Sequence, residues 1–208
     1  MKKIQVLLAA TNVFVLTLAF SAILLVGCAR GQKPDPETKP PTPPQGYSVA
    51  PFFPLEVGNT WRYKAHHLGE TNEHEVRIVS REGAWFVDSE GERFLVDGEG
   101  LRGPDRYLLR APLRPGEEWS SVVDLSVTEH YEITETGVSA SVPAGTFHGC
   151  LRVVGRVRIN PTITLFKQDT YCHSVGLVRV RTWLDAAAKG KIPQAELELV
   201  SYQLVDGD

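Results

Sequence analysis

Cysteine and histidine are the side chains here best equipped for chemistry; the chain has three of the first and six of the second. Cys28 closes the stretch LLVGCAR and has three candidate fates: the edge of a membrane span, half of a disulfide, or the attachment point of a lipid. Cys150 and Cys172 flank Asn160, Pro161 and Thr162. If that N-P-T is a hairpin turn, the two cysteines face each other directly, within disulfide reach. An exported compartment is oxidising enough to form the bond, so a Cys150–Cys172 disulfide is predicted and Cys28 is left free.

A metal reading competes. In a regular strand His148 would share the face of Cys150 and make a Cys2His corner, with His173 pointing the other way. A second cluster, His66, His67 and His74 with Glu70, Glu73 and Glu75, surrounds the turn LGETN. The first spacing matches no strong zinc signature, and the second is typical of a solvated hairpin end, so neither a metal nor a cofactor is expected. Catalytic templates are missing as well. There is no nucleophile elbow, HExxH or phosphate-cradling loop, and Gly98, Glu99 and Gly100 read as a turn. The expectation is a non-enzymatic protein with no catalytic residues.

The elements around these residues fall into three parts: 1–27, 28–46 and 47–208. Lys2 and Lys3 precede a run from Ile4 to Val26 without a charged residue, which reads as a targeting segment although it is long enough to span a bilayer. Residues 30–46, RGQKPDPETKPPTPPQG, carry six prolines and almost no apolar side chains. Such a segment is a polyproline-like spacer whose 17 residues reach roughly 50 Å when extended. Without residues 1–27 the charged residues are 20 basic and 25 acidic, a net charge of −5. That balance argues against nucleic acid as a partner.

Past residue 46 the pattern is one of short alternating segments rich in Val, Ile, Tyr, Trp and Thr, such as TWRYKAH, HEVRIVS, CLRVVGRVRI, GLVRVRTWL and ELELVSYQLV. No segment keeps a helical period over three turns. The expected fold is all-β: a single antiparallel, strongly curved sheet, a barrel or half-barrel of roughly eight to ten strands, with a two-sheet sandwich as the alternative. One hairpin can be registered from its charges, placing Arg181 opposite Glu196 and Arg179 opposite Glu198. VGNTWRY reads as a turn at Gly58 and Asn59 launching a core strand with Trp61 and Tyr63 inward, and VPAGTF as a strand break returning Phe147 to the core.

Two resemblances add to this. Leu25, Val26, Gly27 and Cys28 resemble the lipobox of bacterial lipoproteins, in which the cysteine sulfur receives a diacylglycerol, the peptide is cut before it, and the new amino group is usually acylated. This implies membrane attachment through lipidated Cys28. Ala29 is not the aspartate that retains enteric lipoproteins in the inner membrane, so the resemblance implies the outer membrane. FPLEVGNTWRY (53–63), SVPAGTFHGCLRV (141–153) and YCHSVGLVRV (171–180) together resemble the TapB-like family of uncharacterised exported bacterial proteins. That likeness implies a β-rich envelope domain and supplies no catalytic residues. Cys172, His173 and Ser174 depart from it, standing where its pattern usually reads alanine, proline and glycine.

The resulting expectation is a lipid-anchored envelope lipoprotein whose β domain has a structural or interaction role, with an envelope protein as a candidate partner. The alternative is a periplasmic carrier whose curved sheet holds a lipid or other apolar ligand.

Overall fold

A computed structural model describes residues 48–205 apart from 68, 125 and 126. Cys28 and the divisions at 27 and 46 lie outside the described residues. A 3-10 turn, Ala50–Phe52, precedes twelve strands: β1 (Thr60–His67), β2 (Glu70–Glu82), β3 (Trp85–Asp88), β4 (Arg93–Val96), β5 (Gly100–Arg102), β6 (Tyr107–Arg110), β7 (Glu118–Asp124), β8 (Val127–Val142), β9 (Gly145–Asn160), β10 (Ile163–Cys172), β11 (Gly176–Ala186) and β12 (Gly190–Gln203). They form one antiparallel sheet, nearly closed into a barrel, in the order β6-β5-β4-β3-β2-β1-β12-β11-β10-β9-β8-β7. The expected curved sheet is present with twelve strands rather than eight to ten.

Consecutive strands pair along the whole chain except β6 with β7, and β1 also pairs with β12. The first and last strands are thus joined in the middle of the sheet. Its two edges, β6 and β7, are consecutive in the chain but not hydrogen-bonded to each other as strands. They meet through side chains instead. The Trp119 indole N–H of β7 donates to the Tyr107 carbonyl of β6 at 3.0 Å, and Arg106, beside β6, donates to both oxygens of Glu129 on β8 at 3.1 and 3.0 Å.

The curvature comes from irregularities in long strands. β8 and β9 shift register between Ile133 and Glu135, between Thr136 and Val138, and between Val138 and Ala140. Each extra residue bends its strand and raises its twist, which is what closing a sheet requires. Pro193 lies inside β12 without harm, because β1 ends opposite Ala195 and leaves that edge of β12 free.

Two clusters fill the inside of the curve. One contains Leu101, Leu109, Trp119, Tyr131, Ile133, Leu151, Val153 and Tyr171, with Val49 from the entering segment. The other contains Trp61, Tyr63, Ile78, Ala140, Cys150, Cys172, Val175, Val178 and Leu199. Phe53 is wedged between them, its ring 5.9 Å from Trp61, 5.3 Å from Phe94 and 6.4 Å from Tyr171.

Asn59 does more than turn the chain. It is 1% exposed, its side-chain amide donates to the Pro54 carbonyl at 3.0 Å, and its Oδ1 accepts from the Val205 N–H at 2.8 Å. Its own carbonyl accepts from the Ile78 N–H at 2.9 Å. One side chain therefore ties the entering segment to the far end of the chain. An Asn59→Ala variant leaves the Pro54 carbonyl and the Val205 N–H without their side-chain partner and should lose about 2 kcal/mol of stability in urea unfolding. A loss below about 0.5 kcal/mol, within the range of an ordinary surface change, would contradict the clamp.

Candidate functional site

Cys150 and Cys172 are opposite one another in the β9–β10 ladder, fully buried, with their sulfurs 2.01 Å apart as a disulfide. The Cys2His corner is not built. Gly149 adopts φ +67, and three steps along β9, from Cys150 to Phe147, face two steps along β8, from Val138 to Ala140. This bulge keeps both Phe147 and Cys150 inward and turns His148 out to solvent, where it pairs with Ser139. His173 is also exposed, edge-on to Phe52 at 5.6 Å. The second histidine cluster is divided between the two faces of its hairpin. His74 packs beside Tyr63, and His66 is bonded to Thr71 at 2.9 Å. Among the described residues no group of three or more metal-ligating side chains converges.

Three serine–histidine pairs form: Ser120 with His130, Ser139 with His148, and Ser174 with His173, each at 2.8 Å. All are exposed, and among the described residues no carboxylate orients the other ring nitrogen. A serine nucleophile needs a base held by a third group in a water-excluding site. These pairs have the distance without the setting, and they read as polar contacts on the outer surface.

The interior holds a polar group that the sequence did not announce. Asp169 on β10 is 4% exposed; its Oδ2 accepts from Lys167 Nζ at 2.9 Å, and its Oδ1 has no partner. Two strands along the sheet, on β8, the Tyr131 hydroxyl donates to Glu129, the carboxylate that Arg106 clasps. Each of the two carboxylates is thus matched by a cation, Asp169 by Lys167 and Glu129 by Arg106. Burial is the main cause raising the Tyr131 and Tyr171 phenols above their ordinary value, with Glu129 adding to the first and Asp169 to the second. The Tyr131 ring is stacked on Trp119 at 5.4 Å and passes over Gly155, where a Cβ would sit 3.0 Å from its Cε1. A glycine inside the β-branched run CLRVVGRVRI was the available signal for such a close approach.

On the outside, a cleft of about 520 Å³ opens where β1 stops beside β12, lined by His66, His67, Arg181, Trp183, Lys191 and Glu196 among others. Arg181 and Arg179 there face Glu196 and Glu198 in the register read from the charges. Arg181 donates to Glu196 at 2.7 Å, and Arg179 to Glu198 at 2.6 Å. Trp183 lies against Phe166 at 5.3 Å and 3°, with Lys191 Nζ 3.8 Å from its ring centroid.

No protein-family model matches the chain, and no curated protein matches it. Among solved structures it is similar to a candidate exported protein with a YmcC-like fold from Bacteroides fragilis, at 16% identity and a TM-score of 0.46 over 74% of this chain and 99% of that one. It is also similar to a candidate lipoprotein from Parabacteroides distasonis, at 16% identity and a TM-score of 0.44 over 76% of this chain and all of that one. Likeness at this level carries no functional argument.

Two expectations follow from the buried groups. Replacing both cysteines by alanine should lower stability in urea by about 3 kcal/mol, the loop-closure contribution for a sequence separation of 22. An unchanged midpoint would show the bond to be absent or without effect. Burial also raises the Tyr63 phenol, so Tyr63, Tyr131 and Tyr171 hold their protons in the fold at a pH where an unfolded chain gives them up. Stability is then intact below the unfolded phenol value of about 10 and falls as pH rises beyond it. Ultraviolet titration should show these three phenols ionising together with the loss of near-ultraviolet dichroism. Their ionisation in a chain that keeps its dichroism would contradict their burial.

Proposed function

We propose that this chain is a lipid-anchored envelope lipoprotein of the outer membrane, held by Cys28, whose β domain has no catalytic role and acts through surface contacts. The observation that best supports this reading is the filled interior. The inward positions carry large side chains, Trp61, Tyr63, Trp119, Tyr131 and Tyr171 among them, packed in two clusters with Phe53 between. A carrier of apolar molecules needs the opposite, a lining with too little inside to fill it. The exposed, unoriented serine–histidine pairs likewise count against a hydrolase. The TapB-like resemblance, carried by the motifs at 53–63, 141–153 and 171–180, points the same way, to an envelope β domain.

Native mass spectrometry of the full chain extracted in detergent tests the whole reading. The expected mass is that of the chain from Cys28 onward with covalent acyl groups and nothing else. An unacylated or uncleaved chain would remove the anchor, and a stoichiometric non-covalent lipid would favour the carrier.

A further inference from the structure

Four strands part from their neighbours at one end of the sheet. Pairing of β8 with β9 ends at His130 and Arg156, and pairing of β1 with β12 ends at His67 and Ala195. Beyond those points β9 to β12 continue as a two-hairpin blade to the turns after Asn160 and Ala186. One face of the blade bears the cross-strand row Val157, Leu165, Leu184 and Ile192. The other bears Phe166 and Trp183, with Arg156 and Arg158 on one side and Lys191 on the other.

The aliphatic row belongs to neither core cluster, and Ile159 near the tip is 55% exposed. The cations have neutral partners, Arg158 donating to the Pro161 carbonyl at 3.1 Å and Lys191 lying over the Trp183 ring, with Asp185 the acidic residue opposite Lys191 in the ladder. Among the described residues nine arginines sit in ion pairs, whereas Arg156, Arg158, Lys189 and Lys191 do not. An acidic protein that pairs nine arginines elsewhere thus gathers four cations outside ion pairs, a half-buried aliphatic row with Ile159 exposed beside it, and a tryptophan at one extremity.

We propose that the free end of this blade docks on an anionic bilayer surface. Each lysine or arginine near such a surface contributes about 1 kcal/mol, while tryptophan favours the headgroup boundary and long basic side chains extend from apolar ground to the phosphates. The membrane is within reach. The entering segment bonds to the opposite end of the same strands, Ser174 N–H donating to the Pro51 carbonyl at the β10–β11 turn. β10 has 10 residues, about 33 Å at the usual strand rise, and an extended spacer over 30–46 covers roughly 50 Å. This step rests on the Cys28 anchor: a domain tethered that closely meets its own bilayer at high effective concentration.

The test uses the full chain mixed with vesicles of phosphatidylcholine alone or with phosphatidylglycerol, each carrying brominated acyl chains, and reads Trp183 as the difference between wild type and Trp183→Phe. With phosphatidylglycerol the Trp183 emission should shift to the blue and be quenched severalfold more strongly. High salt should remove the effect, as should the joint change of Arg156, Arg158, Lys189 and Lys191 to glutamine; Ile159→Asp should weaken it. A chain that floats with both vesicle types while Trp183 stays indifferent to their composition would overturn the blade contact and leave the anchor standing. A chain that floats only with anionic vesicles would remove the anchor and support the blade contact.

Discussion

The whole domain depends on how a twelve-stranded sheet disposes of its two edges. An open sheet of this length would expose two rows of unpaired backbone groups and leave one apolar face wet. The curl brings β6 and β7 together, but no ladder joins them. Among the described residues the hydrogen bonds across the seam are one from the Trp119 indole and a pair from one Arg106 nitrogen to both Glu129 oxygens, over the apolar packing of Leu101 and Leu109 with Trp119, which is also stacked on Tyr131 inside the barrel. The polar interior follows from that arrangement. Glu129 must face inward to hold Arg106, and the Tyr131 hydroxyl then finds its acceptor within the core.

Joining the first and last strands makes the chain ends part of the architecture. β1 and β12 sit side by side in mid-sheet, so fraying at either terminus would open the sheet at its centre rather than its rim. Asn59 and the entering segment counter this from the ends. Phe53 packs against Trp61, and Trp61 donates its indole N–H to the Val175 carbonyl at 2.7 Å. The motif VGNTWRY thus concentrates a turn, a clamp and a core strand in seven neighbouring residues.

Much of the local order was legible in the sequence, because hairpins are short-range objects with a side-chain period of two. The Arg179–Glu198 and Arg181–Glu196 pairs and the facing of Cys150 and Cys172 follow from turn position and alternation alone. What was not legible involves either a broken period or a distant partner. The bulge at Gly149 reverses His148, a change that alternation cannot register. β5 and β6 span only three and four residues, too few for a pattern. Nothing local in FKQDTYC marks Asp169 as buried, since its burial depends on Lys167 and on strands far away in the chain. The β1–β12 pairing and the β6–β7 seam are long-range choices with no local signature.

The buried disulfide also sets an order of events. Both cysteines are fully buried in the finished fold, out of contact with solvent. Their partners are adjacent strands of one hairpin, which can form while the rest of the chain is still open. Oxidation therefore belongs to the interval between formation of that hairpin and barrel closure. A chain that closed its barrel too early would keep two thiols sealed in its core.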